Sequence, residues 1–151
     1  MRNGLVLVVD DNPDHAELAV MTLSHHRLVR RIVCVRDGME AFEYLFRCGA
    51  YQSRPEHEAP SLVLLDLKLP RMSGLELLQK IRAEAAFVDL PVVIITSSGE
   101  EGDVLEGLRR GANSFVRKPI NYSAFANYLD LIATYWLMVN EVLPGRYPAS
   151  N

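Results

Sequence analysis

Cysteine is scarce in this chain: two residues, Cys34 and Cys48, in 151. Two cysteines build neither a disulfide framework nor a Cys-rich metal site. A reducing, cytoplasmic setting is the simplest fit. Cys34 falls in the apolar run 32–35 and reads as a buried core thiol. No run of about 18 apolar residues occurs, so no membrane span is expected. No signal peptide is expected either, because the first apolar run leads straight into an acidic pair. Basic charge is not concentrated. With 16 Lys and Arg against 19 Asp and Glu the net charge is −3, and direct nucleic-acid binding is not expected. Arg27, Arg30 and Arg31 read as a solvated connection. No Gly-rich loop comes after the first apolar run, which argues against a nucleotide or flavin phosphate cradle. Internal repeats and low-complexity segments are absent.

What the chain does have is alternation. Its length suits one domain, and its apolar content of 49% is ordinary for a globular protein. Short apolar runs at 5–9, 32–35, 62–65, 92–96 and 114–117 alternate with helical patterns, so the order reads β-α five times. Asn12-Pro13 opens helix one, Asn as cap and Pro at the first position. Leu18, Ala19, Thr22 and Leu23 give it an inward stripe. Asp37 caps helix two, which carries Ala41, Phe42, Leu45 and Phe46. A Gly- and Pro-containing loop comes next, over 49–61. Ser73 to Glu76 and Ser98 to Glu101 both have capping-box spacing and open helices three and four. Gly111 closes helix four as a left-handed cap, and the last helix starts after Asn121. Continuous apolar strands alternating with helices make a parallel sheet covered on both faces. Right-handed crossovers then predict an α/β fold: a doubly wound five-stranded sheet in the flavodoxin-like order.

In such sheets ligands bind at the carboxyl ends of the strands. Four runs end in chemistry: Asp10-Asp11, Asp66, Thr96 and Lys118-Pro119. Any one of these alone reads as a cap or a turn. Together they bring three carboxylates, a hydroxyl and an ammonium to one end of the sheet. Clustered carboxylates raise one another's pKa unless positive charge sits among them. Mg²⁺ supplies that charge and accepts carboxylate, water and phosphate oxygens. Asp66 then reads as a nucleophile that forms an aspartyl phosphate, with Thr96 and Lys118 holding phosphoryl oxygens.

The stretches Val8-Val9-Asp10-Asp11-Asn12, Leu65-Asp66-Leu67-Lys68-Leu69-Pro70 with Gly74, Ile94-Ile95-Thr96-Ser97, and Gly111-Ala112 with Phe115-Val116-Arg117-Lys118-Pro119 resemble a response-regulator receiver domain of bacterial two-component signalling. The resemblance implies that Asp66 accepts a phosphoryl group from a sensor histidine kinase. It implies Mg²⁺ held by Asp11, Asp66 and the Lys68 backbone carbonyl, with Asp10 acting mainly through water. Ser97 matches the small residue expected after Thr96. A switch is implied in which Thr96 moves toward the phosphoryl group and Phe115 turns inward; the alternative for Phe115 is a plain edge-strand core aromatic. Helix four, strand five and helix five would form the signalling face. The Lys118–Pro119 bond is implied to be cis, with a slow refolding phase. The Lys68 side chain either shields the phosphoryl charge or points to solvent. His15 on helix one lies above the acidic pocket, whereas His25, His26 and His57 read as loop or helix-end residues.

The last helix is long and apolar. Its pattern runs from 122 to about 143, against the three or so turns needed to cover a sheet edge, so residues 1–143 read as the domain and 144–151 as a tail. Phe125, Leu129, Ile132, Trp136, Val139 and Leu143 form one stripe. Tyr128, Leu131, Tyr135, Met138 and Val142 form a second beside it. One stripe covers the domain; the other leaves a patch of the kind that marks an interface. Tyr128, Leu131, Tyr135, Trp136, Met138, Val139 and Val142 are the expected interface residues. A homodimer is the first choice of partner and the kinase the second. The tail, with Gly49, Ala50, Tyr51, Pro55 and Pro60 in the loop, resembles the small single-domain regulators that pair with bacterial phytochromes. The kinase implied is a bacteriophytochrome. The expected protein is a phosphoacceptor that turns over no external substrate and is not an enzyme in the ordinary sense. Two rivals stay open. A Mg²⁺-dependent phosphohydrolase wants Asp-x-Asp after its first strand, whereas here the pair is adjacent. An unphosphorylated docking module usually lacks one of the site residues.

Overall fold

The computed structural model describes residues 3–97 and 100–141. Five parallel strands, β1 (Leu5–Val9), β2 (Arg31–Val35), β3 (Leu62–Leu65), β4 (Val92–Thr96) and β5 (Ser114–Arg117), lie in the order β2-β1-β3-β4-β5. That is the doubly wound, flavodoxin-like order expected from the alternation. The helices are α1 (Pro13–Ser24), α2 (Gly38–Phe46), α3 (Gly74–Ala83), α4 (Glu101–Arg109) and α5 (Tyr122–Thr134).

Successive side chains of a strand point to opposite faces, and the core divides accordingly. Leu7, Val9, Val63, Leu65, Val92 and Ile94 face α2 and α3, where Leu45, Leu77, Leu78 and Ile81 are buried. Val6, Val8, Leu62, Leu64, Val93 and Ile95 face α1 and α5, where Leu23, Phe125, Leu129, Ile132 and Leu137 are buried. Truncating one such residue, Leu129→Ala for example, costs about 2–5 kcal/mol. The strands β1, β3 and β4 are buried on both faces, which is why their sequences run apolar without alternation.

Asn12, Asp37, Ser73 and Asn121 cap α1, α2, α3 and α5 through their side chains. Differences from the sequence reading are local. Cys34 is half-buried, because β2 is an edge strand, and burial pushes its thiol pKa up. Ser98 and Gly99 lie outside the described residues, and α4 opens only at Glu101, with Glu100 at the cap position and no side-chain cap. Gly111 has φ +102°, the left-handed region expected of it. No peptide bond among the described residues is cis, so Lys118–Pro119 is trans. The expected cis bond does not hold, and the slow refolding phase attached to it loses its basis.

The last helix also differs. After Thr134 it widens into a π turn, Tyr135–Val139, closed by the Asn140 N–H donating to the Tyr135 carbonyl at 2.7 Å. A wide turn inserts a residue and rotates the positions beyond it. Leu137 is therefore buried where regular spacing would put Trp136, which is half-buried, and Val139 is 56% exposed. Val139, one of the expected interface residues, thus faces outward, whereas Trp136, another of them, packs partly against the core. Val142, Leu143 and the tail 144–151 lie outside the described residues.

Candidate functional site

The carboxyl ends of β1, β3 and β4 meet because the register holds them level. The Asp66 N–H donates to the Val9 carbonyl at 3.0 Å, and the Lys118 N–H donates to the Thr96 carbonyl at 2.8 Å. Those two bonds place Asp66 beside the end of β1 and Lys118 beside the end of β4. Asp10, Asp66, Thr96 and Lys118 are all buried, whereas Asp11 is exposed.

Asp66 is held from three directions. Its Oδ1 accepts from the Thr96 hydroxyl at 2.7 Å and from the Lys68 backbone N–H at 3.3 Å. Its Oδ2 accepts from the Lys118 ammonium at 2.9 Å. The same ammonium reaches Asp10 Oδ2 at 2.6 Å and lies 3.0 Å from His15 Nδ1. Asp10 Oδ1 accepts from the Asn12 N–H at 3.0 Å. Burial pushes the Asp10 carboxyl above its ordinary value, against the pull of the Lys118 ammonium.

One carboxylate oxygen from each of Asp10, Asp11 and Asp66 lies within 4.8 Å of the others. Three carboxylates face a single ammonium, so about two negative charges are left unmatched. Hard oxygen donors with unmatched charge suit a divalent cation of the Mg²⁺ or Mn²⁺ kind.

The sequence-predicted residues therefore converge. Lys68 contributes its backbone to the site while its side chain is exposed, which favours the solvent alternative for that chain. Phe115 is only partly covered, pairing with Ile94 in register and packing on the core beneath α4. Tyr128, Leu131, Tyr135 and Met138 are exposed at helical spacing along α5 and its π turn. Two supports carry no signal in the sequence. Arg71 donates to both Asp37 carboxylate oxygens at 3.0 Å, and the Gly38 N–H donates to the Pro70 carbonyl at 3.2 Å. These contacts tie the loop after Asp66 to the start of α2. Positions 34 residues apart give no local pattern for such a tie. His26 lies just past the end of α1, as expected, but is buried, with Nε2 2.9 Å from the Thr134 hydroxyl.

Comparison with known proteins agrees with this geometry. Residues 6–130 match the response regulator receiver domain. A probable methanogenesis regulatory protein of Methanothrix harundinacea, FilR2, is 32% identical over 91% of this chain and 86% of its own length. Response regulator Rcp1 of Synechocystis is 29% identical over 88% of each chain, and its Mn²⁺-bound crystal form superposes with a TM-score of 0.84 over 93% of this chain and 99% of that one. The phosphorylated cyanobacterial phytochrome response regulator RcpA superposes at 0.86, with 31% identity, 95% of this chain covered and 99% of that one. The bacteriophytochrome response regulator AtBRR superposes at 0.72, with 38% identity over 96% and 98% of the two chains. Strand order, an acidic pocket and a match across nearly the whole sheet converge on one assignment: this chain belongs to the response regulator receiver domain family, the phosphoacceptors of two-component signalling.

Proposed function

We propose that Asp66 is the residue phosphorylated, and that Thr96 and Lys118 are its working partners. The observation that carries this is the triple restraint on the Asp66 carboxylate by Thr96, Lys118 and the Lys68 N–H, with Asp10 and Asp11 close by. An Asp66 oxygen attacks the phosphorus of a phosphohistidine. The P–N bond breaks, its electron pair leaves with the imidazole, and an acyl phosphate forms. Lys118 then donates to a phosphoryl oxygen, as does the Thr96 hydroxyl once it leaves Asp66 Oδ1. Phe115, partly covered beside Ile94, turns inward as Thr96 moves.

Asp10, Asp11, Asp66 and the Lys68 carbonyl are the groups that would hold Mg²⁺. When bound, the ion neutralises the carboxylates so that a phosphoryl group can approach. The relatives named as phytochrome regulators favour a bacteriophytochrome-type histidine kinase as the donor. The output is protein contact, first of all a homodimer through α5. The chain turns over no external substrate, and its setting is the cytoplasm.

The test is intact mass after incubation with acetyl phosphate and Mg²⁺, beside Asp66→Asn. One phosphoryl adduct in the wild type and none in the variant is the expected result. Turnover of a phosphoester would favour the phosphohydrolase. No adduct at all would leave a docking module.

A further inference from the structure

Lys118 makes one polar contact that phosphoryl transfer itself does not use. An ammonium has three N–H donors and no acceptor. Asp10 Oδ2, Asp66 Oδ2 and His15 Nδ1 take all three, at 2.6, 2.9 and 3.0 Å. Because Lys118 can only donate, a hydrogen bond at this distance requires Nδ1 of His15 to be the bare nitrogen, with the ring proton on Nε2. The residue is anchored at both ends. Its backbone N–H donates to the capping oxygen of Asn12 at 3.1 Å. The imidazole meets Phe125 edge-on with centroids 5.5 Å apart, and Tyr122 at 6.2 Å. The Lys118 side chain is 2% exposed, and its ammonium lies 6.0 Å from the Phe125 ring centre. Water therefore has little part in holding it.

We propose that His15 is a positioning residue for Lys118 during phosphoryl transfer, an inference that rests on Asp66 being the acceptor. When Asp66 takes the phosphoryl group, its carboxylate charge is lost. The N–H that served Asp66 passes to a phosphoryl oxygen. The bonds to Asp10 and His15 persist and keep the ammonium where that oxygen arrives, so little reorganisation is needed. A neutral acceptor does this without adding negative charge that would repel the phosphoryl group. An aliphatic residue at position 15 would leave a buried N–H without a partner.

Two measurements test this on the full chain. The first is the imidazole ¹⁵N spectrum of His15 without a phosphodonor. The Nε2–H tautomer is expected, and Lys118→Met should shift the His15 nitrogens. An Nδ1–H tautomer, or a spectrum indifferent to Lys118→Met, overturns the proposal, and this readout does not depend on the folding of any position-15 variant. The second is the rate of adduct formation from acetyl phosphate with Mg²⁺. His15→Leu keeps the apolar contact with Phe125, yet should slow the saturated rate about tenfold, about 1.4 kcal/mol. His15→Gln, whose carbonyl can accept, should recover most of it. Equal rates for wild type and His15→Leu sink the inference alone, as does an equal loss in both variants. A wild type that takes no phosphoryl group sinks the Asp66 reading and this inference with it.

Discussion

At the scale of single residues, Asp10 carries the electrostatic cost of the site. Burial raises its carboxyl pKa despite a 2.6 Å bond to Lys118. A raised carboxyl pKa means that the folded state binds the proton more tightly than the unfolded one. The stability tied to that proton is present below the unfolded value, about 3.9, and is lost as pH rises through the folded value. At neutral pH the ionised cluster therefore subtracts stability, and a divalent cation should restore it. Mg²⁺ at a hundred times its Kd is expected to stabilise the protein by about 2.7 kcal/mol, read as a rise in Tm. The rise should shrink as pH falls into the range where Asp10 takes up its proton, and Asp11→Asn should diminish it at every pH. An unchanged Tm with Mg²⁺ at neutral pH would remove the metal from this site.

At the scale of elements, the site depends on loops that the sequence does not advertise. The strand ends were legible because each apolar run stops at a residue of different chemistry, and a parallel sheet must bring those stops to one edge. The strand order was expected from right-handed crossovers, and the continuous apolar runs mark β1, β3 and β4 as the strands buried on both faces. What stayed hidden were contacts across the fold: Asp37 with Arg71, Gly38 with the loop after Asp66, His26 with Thr134, and the π turn. No local period encodes these. Gly38 shows how tight the second one is. A Cβ there would sit 1.8 Å from the Met72 carbonyl oxygen, a backbone atom that cannot rotate away. Gly38→Ala should therefore push the loop 67–73 off α2 and with it the Lys68 backbone that supports Asp66. A loss of about 1–3 kcal/mol is expected, with Tm lower by about 2–4 °C per kcal/mol. Adduct formation should slow as well. A variant as stable and as fast as wild type would show that α2 does not buttress the site.

At the scale of the whole molecule, the question is what covers α5. Its inner side is full: Phe125, Leu129, Ile132, Ala133 and Leu137 are buried against β1, β3 and β4. Its outer side carries Tyr128, Leu131, Tyr135 and Met138 at helical spacing, each between 41% and 58% exposed. That stripe has a rigid base. His26 bonds to Thr134, and Arg27 donates to the Met138 sulfur at 3.5 Å. The end of α5 and its π turn are thereby tied to the segment that follows α1. A preordered surface loses little conformational freedom on docking, and an apolar stripe on a cyclic dimer's axis meets its own copy. A second molecule of this chain is therefore the occupant to test. Light scattering on the eluted protein should give twice the chain mass, and Leu131→Glu should reduce it to one by burying two like charges at the axis. Val88→Glu, equally exposed at 52% but in the turn before β4, should leave the dimer intact. If Val88→Glu dissociates it equally, general charge repulsion is at work and α5 is not the contact. If the wild type already runs at one chain mass, with beryllofluoride and Mg²⁺ as without, the stripe is left for the kinase, and Leu131→Glu should then weaken phosphotransfer from it while leaving acetyl phosphate untouched.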